Sequence, residues 1–122
     1  MRHILVIDDD PVVLAMAQDF LEEAGYKVST AADAIYSNEV IYGSNPPDLI
    51  LMDVMMPLMS GDKKVRALKR RDQSSGIPVL LISGKEEAEL QRIASEVGAD
   101  GYLTKPFNAT KLVNAVRTYL PF

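Results

Sequence analysis

Three consecutive carboxylates, Asp8, Asp9 and Asp10, stand where an apolar run stops and Pro11 begins; a fourth, Asp53, follows the apolar run "LILM". Lys105 follows another apolar stretch, "GYLT". With no His or Cys near these acids in sequence, their hard oxygens select Mg²⁺, or a similar cation such as Mn²⁺, which keeps its waters and accepts phosphate oxygens as ligands. Two carboxylates about 4 Å apart repel by roughly 4 kcal/mol at an effective dielectric of about 20, a large fraction of a small domain's stability. A positive partner is therefore needed, and Lys105 is a protein cation that can supply part of it. Asp is also a common helix cap. Asp10 precedes Pro11, which is favoured at the first helical position, so this pair reads as N-cap and N1. Caps do not require two adjacent acids on one strand and another on its neighbour, so Asp8, Asp9 and Asp53 read as a site.

The elements that must position these acids follow from the apolar pattern. Five β-rich runs occur in order: 4–7, 27–31, 49–52, 78–82 and 102–104. Between them the spacing is helical, clearest in Val13, Ala17, Phe20 and Ala24, with Gly25 as a C-terminal stop. Strands that read as continuous Val/Ile/Leu runs are buried on both faces, which predicts a parallel sheet with helices on each side. The loops "GSNPPD" (43–48) and "SSGIP" (74–78) punctuate the plan. "DAIYSNEVIYG" places Ser37 and Asn38 in the middle of the second helix, which should be short or irregular. The expected fold is a doubly wound five-stranded α/β domain of order 2-1-3-4-5, flavodoxin-like, spanning 1–122. In such sheets ligands bind beyond the carboxyl ends of the strands at the point where strand order reverses, here between strands 1 and 3. That topology brings Asp8, Asp9 and Asp53 to one crevice.

Composition narrows the function classes. Hydrophobic residues make up 48% of the 122 residues, ordinary for one globular domain. Thirteen basic against seventeen acidic residues leave a net charge of −4, which argues against a nucleic-acid surface. The absence of Cys removes disulfides and thiolate metal sites. The opening "MRHILVIDDDP" has an apolar segment too short for a signal peptide or a membrane span, so a cytoplasmic protein without membrane association is expected. "KKVRALKRR" (63–71) reads as a helix anchored by Val65, Ala67 and Leu68 with a solvated basic face. His3 lies at the start of the first strand, far from the acids, and has no expected chemical role.

Four stretches together, "ILVIDDDP", "PDLILMDVMMPLMSG", "PVLLISG" and "GADGYLTKPF", resemble the receiver domain of two-component response regulators. The resemblance spans nearly the whole chain. It implies that Asp53 is the phosphoacceptor, receiving a phosphoryl group from the phosphohistidine of a histidine kinase or a histidine phosphotransfer protein. It implies further that Asp9, Asp53 and the backbone carbonyl of Met55 hold Mg²⁺, with Asp8 acting mainly through a bound water, and that Lys105 pairs with the acids at rest and with the phosphoryl group afterwards. Ser83 and Tyr102 become the switch that reshapes the face of helix 4, strand 5 and helix 5. Met55 and Lys85 would tune the lifetime of the acyl phosphate by crowding the attacking water. The bond before Pro106 is expected to be cis. Kinase recognition would fall near helix 1, with Leu14, Gln18 and Leu21 as candidates.

Gly101 stands where receivers that dimerise through that face often carry Asp, which weakens the expectation of such a dimer. The output would be a downstream protein or a C-terminal effector domain missing after Phe122. The main rival is a haloacid dehalogenase-like Mg²⁺-dependent phosphatase, since "DDDPV" also fits its pattern with Asp8 as nucleophile and Asp10 as general acid. That reading needs an acidic pair on a later strand end, and "ISG" and "TKP" supply none. "SGKEE" lacks the upstream Gly and the following Ser or Thr of a phosphate-binding loop. An inactive receiver kept as an interaction module is a third reading, opposed by the intact Asp8, Asp9, Asp53, Ser83 and Lys105.

Overall fold

A computed structural model describes residues 1–56 and 58–121; Pro57 of the "MMP" motif and the terminal Phe122 lie outside the described residues. The strands are β1 (His3–Ile7), β2 (Lys27–Ala31), β3 (Leu49–Asp53), β4 (Val79–Ser83) and β5 (Gly101–Thr104). They alternate with α1 (Pro11–Glu23), α2 (Asn38–Ile41), α3 (Gly61–Arg70), α4 (Glu87–Val97) and α5 (Ala109–Tyr119). All pairings are parallel, as the apolar runs predict, and the sheet order is the expected β2-β1-β3-β4-β5. The three inner strands are buried along their whole length, whereas β2 and β5 are half-exposed edges.

Side-chain alternation divides the interior into two layers. Ile4 and Val6 of β1 and Leu49 and Leu51 of β3 pack with Ala17, Leu21, Leu112 and Val116 of α1 and α5. Leu5, Ile7, Ile50, Met52, Val79 and Leu81 pack with Val65, Leu68, Leu90 and Ala94 of α3 and α4. The same parity, run one step past the apolar residues, carries Asp8 and Asp53 toward the α1/α5 side. It places Ser83 on the α3/α4 side.

The helix boundaries have local causes. Asp10 is extended (φ −87°, ψ 111°), and its side chain accepts the Val12 N–H at 2.9 Å with Pro11 opening α1, which bears out its reading as a cap. At the other end Gly25 takes φ 100°, a conformation that costs an L side chain 1–2 kcal/mol or so. α2 keeps only four residues. Asp33 accepts the N–H groups of both Ile35 and Tyr36, and Ser37 Oγ donates to the Ala34 carbonyl, so these side chains satisfy a series of turns in place of the helix's first coils.

Two sequence expectations need correction. Leu21 is fully buried against α5 and the sheet, so it cannot meet a partner, while Leu14 and Gln18 are half-buried. The basic face of α3 is not wholly solvated either. Lys64 is buried, 4% exposed, and its ammonium donates to Asn38 Oδ1 of α2. Burial, and then the nearby charge of Arg71, hold the Lys64 ammonium below its ordinary value of 10.5.

Gly61 opens α3 where the chain folds back on β3, its N–H bonded to the Val54 carbonyl at 2.8 Å. A Cβ there would fall on the Asp53 carbonyl and 2.9 Å from Val54 Cα. Gly61→Ala should therefore cost about 1–3 kcal/mol, read as a lowered denaturant midpoint, because backbone and not a flexible side chain must move. Lys64→Met should stabilise the protein at neutral pH by on the order of 1 kcal/mol, since it removes a buried ammonium whose partner is a neutral amide. A folded-state value below the unfolded one means the charge opposes folding at low and neutral pH, a penalty that fades as pH rises toward the ordinary lysine range. The gap between Lys64→Met and wild type should narrow accordingly in melts run at increasing pH.

Candidate functional site

The ends of β1, β3 and β5 bring together the residues the sequence singles out. Oxygens of Asp8, Asp9 and Asp53 lie within 4.8 Å of one another. Lys105, just past β5, directs its Nζ to Asp8 Oδ2 at 2.7 Å and to Asp53 Oδ2 at 3.4 Å. Its backbone N–H donates to the Ser83 carbonyl at 2.7 Å, which ties the end of β5 to β4. The Lys105–Pro106 peptide is cis, as expected.

The three acids are not equivalent. Asp8 is completely buried, with Oδ2 on Lys105 and Oδ1 accepting the Asp10 N–H at 2.9 Å, so both oxygens are engaged. Asp53 is 7% exposed and accepts the Met55 N–H on Oδ1 at 3.2 Å. Asp9 is exposed. Asp9 therefore offers an incoming cation exposed oxygens, Asp53 a carboxylate held by longer contacts at 3.2 and 3.4 Å, and Asp8 one held at 2.7 and 2.9 Å, and a set of hard oxygens of this kind fits Mg²⁺ or Mn²⁺.

Electrostatics follow from this crowding. Burial, and then the charge of Asp8, raise the Asp53 carboxyl above its usual range, against the opposing pull of Lys105 and the Met55 N–H. For Lys105 burial acts downward, but the hydrogen bond to Asp8 and the charges of Asp53 and Asp8 outweigh it, so its ammonium is held more firmly than usual. One lysine thus offsets part of the repulsion.

Around the acids lie the remaining candidates. Ser83 is buried and its Oγ accepts the Lys85 N–H at 3.1 Å, its one hydrogen bond among the described residues, so the hydroxyl proton is free to donate elsewhere. Tyr102 packs its ring against the α3/α4 layer and donates from its hydroxyl to Glu87 Oε1 at 3.3 Å. Lys85 Nζ is 3.5 Å from Glu89, an i,i+4 pair that draws it along α4. Met55 is exposed, and Leu58 in the same loop sits in the left-handed region with φ 69°. A bulky residue held there is strain of the kind that gathers at functional loops. Beside Lys105 an apolar groove of about 240 Å³ is lined by Val13, Met16, Lys105, Pro106 and Phe107. His3 is buried at the opposite end of β1 between Ser29 Oγ and the Pro46 carbonyl, a structural role that agrees with its exclusion from the chemistry.

Sequence reasoning missed Glu87 and Glu89, the partners of Tyr102 and Lys85. The i,i+4 spacing of Lys85 and Glu89 was a usable signal; nothing in the sequence pairs Glu87 with a tyrosine fifteen positions on.

The family model for the response regulator receiver domain matches residues 4–117. The chain belongs to the response regulator receiver family. It is 36% identical over 120 residues to the DNA-binding dual master transcriptional regulator RpaA of a Synechocystis species, an alignment covering 98% of this chain and 49% of that protein. Against the phosphate regulon transcriptional regulatory protein PhoB of Pseudomonas aeruginosa the identity is 38% over 119 residues, covering 98% and 52%. The receiver therefore spans about half the length of these curated relatives. Among solved structures it is similar to the chemotaxis response regulator CheY4 of Vibrio cholerae, with a TM-score of 0.90 and 32% identity over 98% of this chain and 99% of that one. A putative response regulator from Chloroflexus aurantiacus aligns with a TM-score of 0.92 and 30% identity over 99% and 98%.

Because Asp53 is raised by burial and by Asp8, its ionisation opposes folding once pH exceeds the ordinary carboxylate range, and the stability it lends when protonated is lost as pH rises. Asp53→Asn should raise the melting temperature of the metal-free receiver at neutral pH. Mg²⁺ at about one hundred times its dissociation constant should stabilise the wild type by about 2.7 kcal/mol and the variant far less. Equal Mg²⁺ shifts in both would show that Asp53 takes no part in the cation site.

Proposed function

We propose that this receiver accepts a phosphoryl group on Asp53 from the phosphohistidine of a histidine kinase or a histidine phosphotransfer protein. The supporting observation is the convergence of Asp8, Asp9 and Asp53 on one crevice, with the Lys105 ammonium 2.7 Å from Asp8 and 3.4 Å from Asp53. An Asp53 oxygen attacks phosphorus in line, the P–N bond to the donor imidazole breaks, and the electron pair returns to that imidazole. Asp9, Asp53 and the Met55 carbonyl would hold Mg²⁺ or Mn²⁺, with Asp8 reaching it through water, and the cation supplies neutralisation of the charge on the transferring group. Lys105 exchanges its contact with Asp53 for one with a phosphoryl oxygen. The Ser83 hydroxyl, free to donate, turns to another.

The signal would leave through Ser83 and Tyr102 to the surface of α4, β5 and α5, read by a downstream protein or by an effector domain in the same polypeptide. With a net charge of −4 the domain itself is not assigned nucleic-acid contacts. Among the described residues no helix is long and apolar enough to cross a membrane, and we place the receiver in the cytoplasm, where a phosphohistidine donor operates. Met55 and Lys85 border the path of attacking water and would lengthen the life of the acyl phosphate. The reaction is a stoichiometric signal, with at most self-catalysed transfer and slow autodephosphorylation.

The phosphatase alternative draws no support from the geometry. Asp10, its general acid, is committed to the N-terminus of α1 through Val12, and neither β4, which ends in Ser83, nor β5, which ends in Thr104, supplies the acidic pair that reading needs.

Incubation with acetyl phosphate and Mg²⁺ should add one phosphoryl mass to the intact protein. Asp53→Asn should abolish the gain. Met55→Asn should gain the same mass but lose it faster, because a carboxamide can orient water where the methionine crowds it. A gain that survives Asp53→Asn would overturn the assignment of the acceptor, and an unchanged half-life in Met55→Asn would remove that residue's tuning role.

A further inference from the structure

Register places Ser83 and Tyr102 on one face of the sheet. Leu81 pairs with Tyr102 and Ser83 with Thr104 across β4 and β5, so Tyr102 is the diagonal neighbour of Ser83 on the α3/α4 side. On the switch reading, a Ser83 that turns toward a phosphoryl group on Asp53 leaves space on the face it shares with the Tyr102 ring. What holds the ring in its present place is then a question about its other end. The hydroxyl makes one hydrogen bond among the described residues, to Glu87 Oε1 at 3.3 Å. The bond lies at the exposed rim of the helix, where the phenol keeps its proton at neutral pH and donates it to the carboxylate.

We infer that Glu87 is a latch that holds Tyr102 outward in the resting receiver and so opposes its phosphorylated state. This rests on the switch reading of Ser83 and Tyr102. Glu87 is well placed for the task because the first turn of α4 is itself anchored. Leu90 is fully buried, its N–H bonds the Glu86 carbonyl at 3.0 Å, and Glu89 draws in Lys85. The carboxylate is exposed and has water as an alternative partner, so its bond to Tyr102 is not needed to satisfy it. The ordinary explanation is that Glu87, with Glu89, complements the N-terminal dipole of α4. That explanation predicts an effect on stability alone. A latch predicts more, because inward rotation of Tyr102 breaks the bond, and coupling between two equilibria is reciprocal. Whatever weakens the latch raises the affinity of the Asp53 site for a phosphoryl group by the same factor.

The test uses 3-fluorotyrosine in the whole chain, which holds five tyrosines, with the Tyr102 fluorine resonance assigned by Tyr102→Phe. Beryllofluoride with Mg²⁺ serves as a non-hydrolysing phosphoryl analogue, and the resting spectrum needs no metal. Glu87→Ala should move the resting Tyr102 resonance toward its position in the beryllofluoride-bound wild type, with Glu87→Gln, which keeps an acceptor, part of the way. Glu87→Ala should also tighten apparent beryllofluoride binding by about twofold, the low end of what one net hydrogen bond commands, as suits a long bond at the surface. In a Tyr102→Phe background Glu87→Ala should leave that binding unchanged. If the wild-type resonance responds to beryllofluoride but Glu87→Ala leaves the resting resonance where it was, the latch is wrong and the switch stands. If beryllofluoride does not move the wild-type resonance, the switch reading fails and the latch falls with it.

Discussion

The Lys105 ammonium, set between Asp8 and Asp53, is the contact on which the rest of the site depends. The two carboxylates sit at the ends of adjacent buried strands, where water cannot screen them fully, and one positive charge serves both. Its two distances, 2.7 and 3.4 Å, show the ammonium committed first to Asp8 and more loosely to Asp53. On the proposed mechanism, the looser arm is the one that lets go. Asp8 supplies the fixed anchor, Asp9 the exposed oxygens, and Asp53 a carboxyl that burial and Asp8 hold above its usual range. A parallel sheet suits this arrangement because each strand delivers one residue to the same edge, and alternation settles which side chain points into the crevice.

The same parity rule separates the acid site from the proposed switch residues. Asp8, Asp53 and Lys105 follow the residues of the α1/α5 layer, while Ser83 and Tyr102 belong with the α3/α4 layer. Ser83 joins the two regions, since its carbonyl holds the Lys105 backbone and its hydroxyl proton is uncommitted. On the proposed switch, a change of charge at Asp53 reaches the far face through this one small side chain and the strand pair that carries it.

Much of this was legible in the sequence because the signals are local and redundant. The strands are short continuous apolar runs, the acids stand at their ends, and Asp10-Pro11 marks a helix start whatever the tertiary context. The sheet order needed only the topological rule and the resemblance. What escaped depends on packing between segments distant in the chain. Leu21 has the same local setting as Leu14, and only the docking of α5 on α1 buries it. Lys64 looks like its neighbour Lys63; its burial comes from α2, whose unwound start brings Asn38 over it. The pairing of Glu87 with Tyr102 likewise exists only once α4 is laid against β5.

Phosphoramidate carries the P–N bond of a phosphohistidine without any protein attached, so it reads the acceptor chemistry of the acid crevice alone. Phosphorus NMR of the receiver with phosphoramidate and Mg²⁺ should show an acyl phosphate resonance that appears with loss of the donor, is absent when the metal is chelated, and is absent in Asp53→Asn. Steady release of inorganic phosphate over many turnovers, undiminished in Asp53→Asn, would contradict the account.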